Sequence, residues 1–219
     1  MLRFPLSAAA TPLRRVLALG AHADDIEIGC GATVLALTRT HADLEVTWVV
    51  LGASGERERE ARDSAALFLE SAAAEVVVHG FRDGFLPYVG AEVKDVFEEL
   101  KGRLDPDLIL THARADLHQD HRLVCELTWN TWRDHLILEY EIPKFDGDLA
   151  APNVFVPVSR ELAEEKVRLL FDGFPSQRGK HWFDDELFLG LMRLRAMEAV
   201  SPTDYAEAFT CRKLSLLVG

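Results

Sequence analysis

The sequence has few cysteines: three in 219 residues, far apart at Cys30, Cys125 and Cys211. Their odd number and wide spacing exclude a disulfide framework, and no CxxC pair is present that would bind a structural metal. Free cysteines of this kind are typical of a reducing compartment, so we expect a cytoplasmic protein.

Positive charge is also scarce. Lysine and arginine number 24 against 36 aspartates and glutamates, which gives a formal net charge of -12. Duplex DNA and anionic lipid surfaces bind proteins through clustered basic residues, because phosphates must be neutralised. The acidic balance therefore argues against nucleic acid as a partner. A single phosphorylated small molecule stays compatible with Arg57 and its neighbours.

Long apolar runs are missing as well, since none approaches the roughly 20 residues that a membrane-spanning helix needs. The first 15 residues resemble a short secretory signal, but Pro5 and Pro12 interrupt the apolar stretch. We therefore predict an N-terminal arm over 1–13 and a single domain over 14–219. Hydrophobic residues make up 48% of the chain, which is enough for a sizeable core.

Apolar runs alternate with helical patterns through the first two-thirds of the chain. The predicted strands are 16–20, 44–51, 76–79 and 107–111, and the predicted helices are 28–40, 58–70 and 93–104. Strands separated by helices form βαβ units, which build a mostly parallel sheet with helices on both faces. The prediction is an α/β fold, a Rossmann-like three-layer sandwich.

The pattern changes from about residue 136, where we predict a C-terminal elaboration of the same domain. It comprises strands at 136–142 and 153–158, helices at 159–171 and 184–199, and a tail of mixed character over 205–217. No internal repeat and no linker divides the chain.

His22, Asp24 and Asp25 follow directly after the first predicted strand, in the segment AHADDIEIGCGAT. Ligands of parallel sheets bind beyond the carboxyl ends of the strands. Adjacent carboxylates beside such a crevice are unfavourable unless a cation compensates them. His22 and Asp25 can converge on one metal ion, with Asp24 directed toward a water molecule. An Asp-rich helix N-cap is the alternative interpretation of this segment alone.

A second polar segment, THARADLHQDHR, follows the fourth predicted strand and contains His112, His118, His121, Asp116 and Asp120. One imidazole can bind the same ion, while another stays free for proton transfer or oxyanion stabilisation. Asp116 and Asp120 are candidates for hydrogen bonds to the ligands. Solvated histidines on a polar loop are the alternative, but two such segments at the ends of two strands argue against it.

Two histidines and one aspartate leave an open coordination position, which is typical of a catalytic zinc site. The same ligands also suit a two-histidine-one-carboxylate iron site, so their number leaves the metal open. Asp24 as a general base favours hydrolysis, because zinc lowers the pKa of its water toward about 7 and polarises a carbonyl.

The two segments resemble the signatures of the LmbE-like, PIG-L-type zinc-dependent N-deacetylases. AHADDIEIGCGAT resembles the family's AHPDD(E/I)E(L/I)GCGGT, and DLHQDHR resembles its HPDH-type motif. The similarity extends over about residues 14–135. Ala23 replaces the usual proline and Ala32 a usual glycine, and neither position is a metal ligand in the family.

This resemblance implies that His22, Asp25 and His121 are the zinc ligands and that Asp24 is the general base. It also implies that His118 stabilises the tetrahedral intermediate or protonates the leaving amine. The expected enzyme is a metal-dependent amidohydrolase that removes an acetyl group from an amino sugar or an amino-sugar conjugate.

Substrate contacts are expected from Arg57 and Lys180. Arg57, in GERERE, lies where the family places a substrate-binding arginine. Lys180 lies in the loop SQRGKHWFDDE, whose polar and aromatic composition suits sugar recognition and is equally ordinary for a turn. A non-haem iron enzyme with the same ligands and an inactive sugar-binding protein remain the alternatives. The sequence leaves open which N-acetylated sugar is the small-molecule substrate and whether the chain forms a homo-oligomer.

Overall fold

The computed structural model describes residues 5–6, 12–70 and 72–215. Most of the predicted N-terminal arm, namely 1–4 and 7–11, lies outside the described residues. The described residues form a seven-stranded, mostly parallel sheet with helices packed on both faces. The predicted Rossmann-like three-layer α/β sandwich is confirmed.

Strands and helices alternate along most of the chain. In order they are β1 (Arg15–His22), α1 (Asp25–Thr40), β2 (Glu45–Gly52), α2 (Glu56–Leu69), β3 (Ala73–Val78), α3 (Gly90–Arg103), β4 (Leu108–His112), α4 (Gln119–Thr131), β5 (Leu136–Tyr140), β6 (Val154–Val158), α5 (Arg160–Gly173), α6 (Asp185–Glu198) and β7 (Tyr205–Thr210). Short 3-10 helices lie at Leu86–Val89 and Pro175–Gln177. The predicted strands and helices agree with these bounds to within three residues.

The strands lie in the order β3-β2-β1-β4-β5-β7-β6. β1 to β5 pair in parallel, whereas β7 is antiparallel to both β5 and β6. The tail predicted to be mixed therefore contains a strand, which its sequence YAEAFT hides because alanine and glutamate have low strand propensity. Successive strands are added on one side of β1 and then on the opposite side of β4. A crevice therefore opens at the carboxyl ends of β1 and β4.

Side chains alternate between the two faces of the sheet, as β2 illustrates. Val46, Trp48 and Val50 pack toward α1, α2, α5 and α6, whereas Val49 and Leu51 pack toward α3 and α4. None of the helices in the described part of the chain is both long and apolar enough to cross a membrane.

The helix that begins at the predicted site is bent at Cys30, whose backbone angles of φ -147 and ψ 19 are not helical. A bend of this kind removes backbone hydrogen bonds within the helix. Glu207 of β7 accepts hydrogen bonds from the backbone N–H groups of Ala32 and Thr33, at 2.9 and 2.6 Å. The carboxylate thereby caps the second half of α1.

Lys166 of α5 completes the support of this bend. Its Nζ atom donates to the backbone carbonyl of Ile28 at 2.7 Å and to Glu207 Oε1 at 2.6 Å. Both charged side chains are almost fully buried. Since Lys166 and Glu207 belong to the C-terminal elaboration, that region holds the helix on which Asp25 lies.

Removal of the buried ammonium is expected to destabilise the fold. We expect Lys166→Met to lower the free energy of unfolding by about 3 kcal/mol, because a buried charge left without its partner is strongly unfavourable. Urea unfolding followed by circular dichroism measures this. Arg168→Met is the matched control on the same helix, because its exposed ion pair with Asp172 contributes only about 0–1 kcal/mol. Equal destabilisation by both substitutions would contradict the role given to the buried pair.

Candidate metal centre and active-site cleft

The two histidine-containing segments meet at the carboxyl edge of the sheet because β1 and β4 are neighbours. His22 is the last residue of β1, Asp24 is the N-cap of α1 and Asp25 is its first residue. His118 is the N-cap of α4, and His121 lies in the first turn of that helix. The structure thus brings these five predicted residues into one cluster.

Three side chains of the cluster lie within 3.4 Å of one another. His22 Nδ1 lies 3.2 Å from His121 Nε2 and 3.3 Å from Asp25 Oδ2, and His121 Nε2 lies 3.4 Å from Asp25 Oδ1. A tetrahedral ion about 2.0–2.1 Å from each ligand atom separates those atoms by about 3.3–3.4 Å. The separation of the two histidine nitrogens fits a zinc-like ion, and Asp25 meets each of them with a different carboxylate oxygen.

The outer ring nitrogens of the two histidines face carboxylates. His22 Nε2 lies 3.1 Å from Asp120 Oδ2, and His121 Nδ1 lies 2.9 Å from Asp116 Oδ2. A carboxylate only accepts hydrogen bonds, so each outer nitrogen carries the proton. In the neutral rings the inner nitrogens, His22 Nδ1 and His121 Nε2, then offer their lone pairs, which is the arrangement that metal-binding histidines require.

Asp24 belongs to the cluster but lies apart from the three ligand candidates, beside Arg57. Arg57 Nη2 lies 2.9 Å from Asp24 Oδ2, and Arg57 Nη1 lies 2.7 Å from Glu60 Oε2. Asp24 Oδ2 is buried and receives no hydrogen bond of regular geometry from the described residues. Burial raises the pKa of the Asp24 carboxyl, and the Arg57 guanidinium opposes this shift. Asp24 therefore has capacity to accept a proton.

His118 lies against both histidines of the cluster, with its ring centroid 4.9 Å from that of His22 and 4.5 Å from that of His121. Its Nδ1 accepts the backbone N–H of Asp120 at 3.3 Å, so the neutral ring carries its proton on Nε2. Burial and the neighbouring His121 lower the pKa of His118. One nitrogen from each of the three histidines lies within 4.8 Å of the others, so His118 is an alternative third ligand to Asp25.

The model of the family described as PIG-L, GlcNAc-PI de-N-acetylase, matches residues 17–132, which is more than half of the chain. The chain belongs to the PIG-L family. The curated relative "Uncharacterized deacetylase YaiS" of Escherichia coli (strain K12) is 28% identical over 177 residues, which cover 75% of this chain and 93% of the relative. The resemblance inferred from the two motifs is thereby confirmed.

Solved structures share the fold of this PIG-L family member. N,N'-diacetylchitobiose deacetylase from Pyrococcus horikoshii has a TM-score of 0.70 at 19% identity and covers 95% of this chain and 87% of its own. GalB, the 4-carboxy-2-hydroxymuconate hydratase from Pseudomonas putida KT2440, has a TM-score of 0.72 at 14% identity, with coverages of 94% and 99%. The same fold thus occurs in a deacetylase and in a hydratase, so the reaction must be inferred from the site.

His112 is a buried neighbour of the candidate metal centre of this PIG-L protein, and the sequence assigned it no role. Its ring stacks on that of His121 at 3.9 Å, and its Nε2 lies 3.2 Å from Asp25 Oδ2 and 3.2 Å from the Tyr140 hydroxyl. Burial and the nearby His121 lower the pKa of His112 to about 4. The neutral ring packs behind two of the predicted ligands. Its place at the end of a buried strand is the signal that could have identified it.

Asp83 was also missed, because it lies in the loop after β3, where the sequence shows no motif. Its Oδ1 lies 3.1 Å from His22 Nε2 although the side chain is 76% exposed. Burial opposes protonation of His22, but Asp25, Asp120 and Asp83 together raise the pKa of His22 well above its usual value. The surroundings of His22 therefore stabilise positive charge, as a site for a cation must.

A cleft of about 600 Å³ opens above the cluster. It is lined by the predicted site residues together with the loops after β2, β3 and β5 and the segment that precedes α6. Arg57 and Lys180, which are predicted to bind the substrate, both line it. Arg57 contacts Asp24, whereas Lys180 lies at the exposed rim and donates to Gln177 Oε1 at 2.6 Å.

The carboxylate behind His121 is expected to tune metal affinity. We expect Asp116→Asn to weaken zinc binding about 10–100-fold, because both carboxylate oxygens of Asp116 accept, one from the His118 backbone N–H and one from His121 Nδ1, whereas an amide has only one acceptor oxygen. Competition with a chromophoric chelator measures the dissociation constant. Asp148→Asn is the control. Asp148, like Asp116, forms an ion pair with Lys144, at 2.5 Å, but among the described residues it has no ion pair or hydrogen bond with His121. Equal weakening in both variants would contradict the assignment.

Proposed function

We propose that this PIG-L family protein is a zinc-dependent hydrolase that removes an N-acetyl group from an amino sugar or an amino-sugar conjugate. The observation that carries the proposal is the ligand-atom spacing of 3.2–3.4 Å among His22, Asp25 and His121, with Asp24 beside them. Family membership and the deacetylase name of the E. coli relative support hydrolysis of a linear amide.

Zinc, when bound, polarises the amide carbonyl and lowers the pKa of a water molecule toward about 7. The Asp24 carboxylate accepts a proton from the attacking water, whose oxygen bonds to the carbonyl carbon. His118 Nε2 stabilises the oxyanion by donating a hydrogen bond to it, and the proton taken up by Asp24 passes to the departing nitrogen. The C–N bond then breaks, and acetate and the free amine leave the cleft.

Arg57 and Lys180 are proposed to bind the substrate. Arg57 also positions Asp24, because one guanidinium contacts both Asp24 and Glu60. Glu60 in turn accepts hydrogen bonds from the backbone and side chain of Ser176, at 2.7 Å each. This chain of contacts joins the proposed base to the loop that carries Lys180.

Residues 14–219 are proposed to form one deacetylase domain in the cytoplasm. A single domain is supported by the insertion of β7 between β5 and β6 in the same sheet. The free thiols of Cys30, Cys125 and Cys211 support a reducing compartment. A single urea-unfolding transition is expected, and two separated transitions would contradict the one-domain assignment. Location is tested by fractionation of cells that express the protein, where recovery outside the cytoplasm would contradict it.

The activity is tested with apoprotein reconstituted with zinc or, anaerobically, with ferrous iron. Free, nucleotide-linked and lipid-linked N-acetylated amino sugars are supplied, and released acetate is measured. Zinc-dependent release is expected for at least one class of sugar. Oxygen consumption with iron alone would support the iron enzyme instead. Saturable sugar binding without acetate release would support an inactive binding protein.

A further inference from the structure

Four basic side chains line the cleft, and two of them are neutralised by carboxylates. Arg57 pairs with Asp24 at 2.9 Å, and Lys144 pairs with Asp116 at 3.0 Å. These ion pairs hold both side chains in place. Their charge is therefore balanced before any substrate binds.

The other two cations, Arg82 and Lys180, have no carboxylate oxygen within 4.0 Å in the part of the chain that the structure describes. The Arg82 guanidinium lies 3.7 Å from the ring centroid of Phe85. The Lys180 Nζ atom contacts the neutral amide of Gln177 and lies 5.7 Å from the ring centroid of Trp182. Aromatic faces and an amide orient these cations without cancelling their charge.

Arg82 and Lys180 lack a carboxylate partner among the described residues although the chain has a net charge of -12. Asp83 follows Arg82 directly in sequence, yet its carboxylate lies 3.1 Å from His22 Nε2. Arg82 comes from the loop after β3, and Lys180 comes from the segment before α6. Two distant parts of the chain therefore bring unneutralised positive charge to one cleft.

We propose that Arg82 and Lys180 form an anion subsite, which binds a phosphate or carboxylate group carried by the N-acetylated sugar. This specificity rests on the function proposed above. A guanidinium fork binds either anion with paired hydrogen bonds, and an ammonium adds a point charge. Asp24 and Asp25, deeper in the cleft, repel the anionic group, which therefore stays at the rim while the acetamido group enters.

The test compares kcat/KM for neutral and anionic substrates of the zinc-loaded protein. The substrates are the methyl glycoside of N-acetylglucosamine, its 1-phosphate and 6-phosphate, and N-acetylmuramic acid as the carboxylate. We expect the better anionic sugar to exceed the neutral one by about 100-fold, since each charged hydrogen bond contributes roughly tenfold. The ratio should fall about tenfold in Arg82→Met and in Lys180→Met.

Lys101→Met is the matched control, because this exposed lysine lies in the last turn of α3, at the opposite edge of the sheet. It removes the same charge and should leave the ratio unchanged. High ionic strength should lower the ratio of wild type, because the cations are exposed. Preference for the phosphates or for the carboxylate assigns the anion.

Equal kcat/KM for neutral and anionic sugars would overturn the anion subsite while deacetylation itself stands. If no sugar is hydrolysed, the proposed function fails, and calorimetric titration of the same sugars decides the subsite. Saturable binding of an anionic sugar that is weakened in the Arg82→Met/Lys180→Met double variant supports it. Absence of such binding overturns it.

Discussion

Asp24→Asn is expected to lower kcat for deacetylation roughly a thousandfold, the scale of a lost general base. Zinc content should stay at the wild-type level, because Asp24 is directed to Arg57 and the cleft rather than to the common centre of the three ligand atoms. Asparagine has nearly the same shape, but its amide cannot take a proton from water. Steady-state kinetics and metal analysis by mass spectrometry on the same preparations measure both quantities.

Asp146→Asn is the control for the lost negative charge, because Asp146 is exposed on the loop after β5. It should change kcat less than about twofold, as expected for a screened surface charge. Loss of zinc in Asp24→Asn would identify Asp24 as a ligand. Retention of zinc with full kcat would show that another group accepts the proton.

The order of strands and helices was predictable because local patterns determine it. Apolar runs and helical periodicity indicate which residues of one strand or helix are buried. Parallel βαβ connections then place the carboxyl ends of β1 and β4 at the same edge of the sheet. The strand β7 was missed, because YAEAFT becomes a strand through its pairing with β5 and β6 rather than through its own propensity.

The site was predictable only where its residues are neighbours in sequence. His22 and Asp25 form a local motif, as do His118 and His121, and the crevice rule joins the two. The contacts of Asp83 with His22 and of His112 with Asp25 arise from tertiary packing, which no local pattern reports.

The C-terminal elaboration contributes to the centre although it lies beyond residues 17–132, over which the family model matches. Glu207 and Lys166 support the bend of α1, and Tyr140 packs against the same helix. A Cβ atom at Gly29 would lie 2.2 Å from the Tyr140 ring, so only glycine allows this approach. The first turn of α1, with Asp25, is thus fixed from outside the matched region.

His121→Ala is expected to abolish stable zinc binding and, with it, deacetylation. The substitution removes one of three converging ligand atoms, so affinity should fall further than the roughly 10–100-fold expected for Asp116→Asn. It also leaves the Asp116 carboxylate without its imidazole partner. Zinc per chain after dialysis, measured by mass spectrometry, is the readout. His135→Ala is the control, because that histidine contacts Asp105 and Asp134 outside the cleft.

The same measurement separates the two sets of three ligands that the geometry permits. If Asp25 completes the site with His22 and His121, Asp25→Ala loses zinc, whereas His118→Ala keeps it and loses only kcat. If the three histidines bind the ion, the outcome reverses. Because His118 Nδ1 accepts the N–H of Asp120, its Nε2 carries a proton and offers no lone pair. We therefore expect the first result.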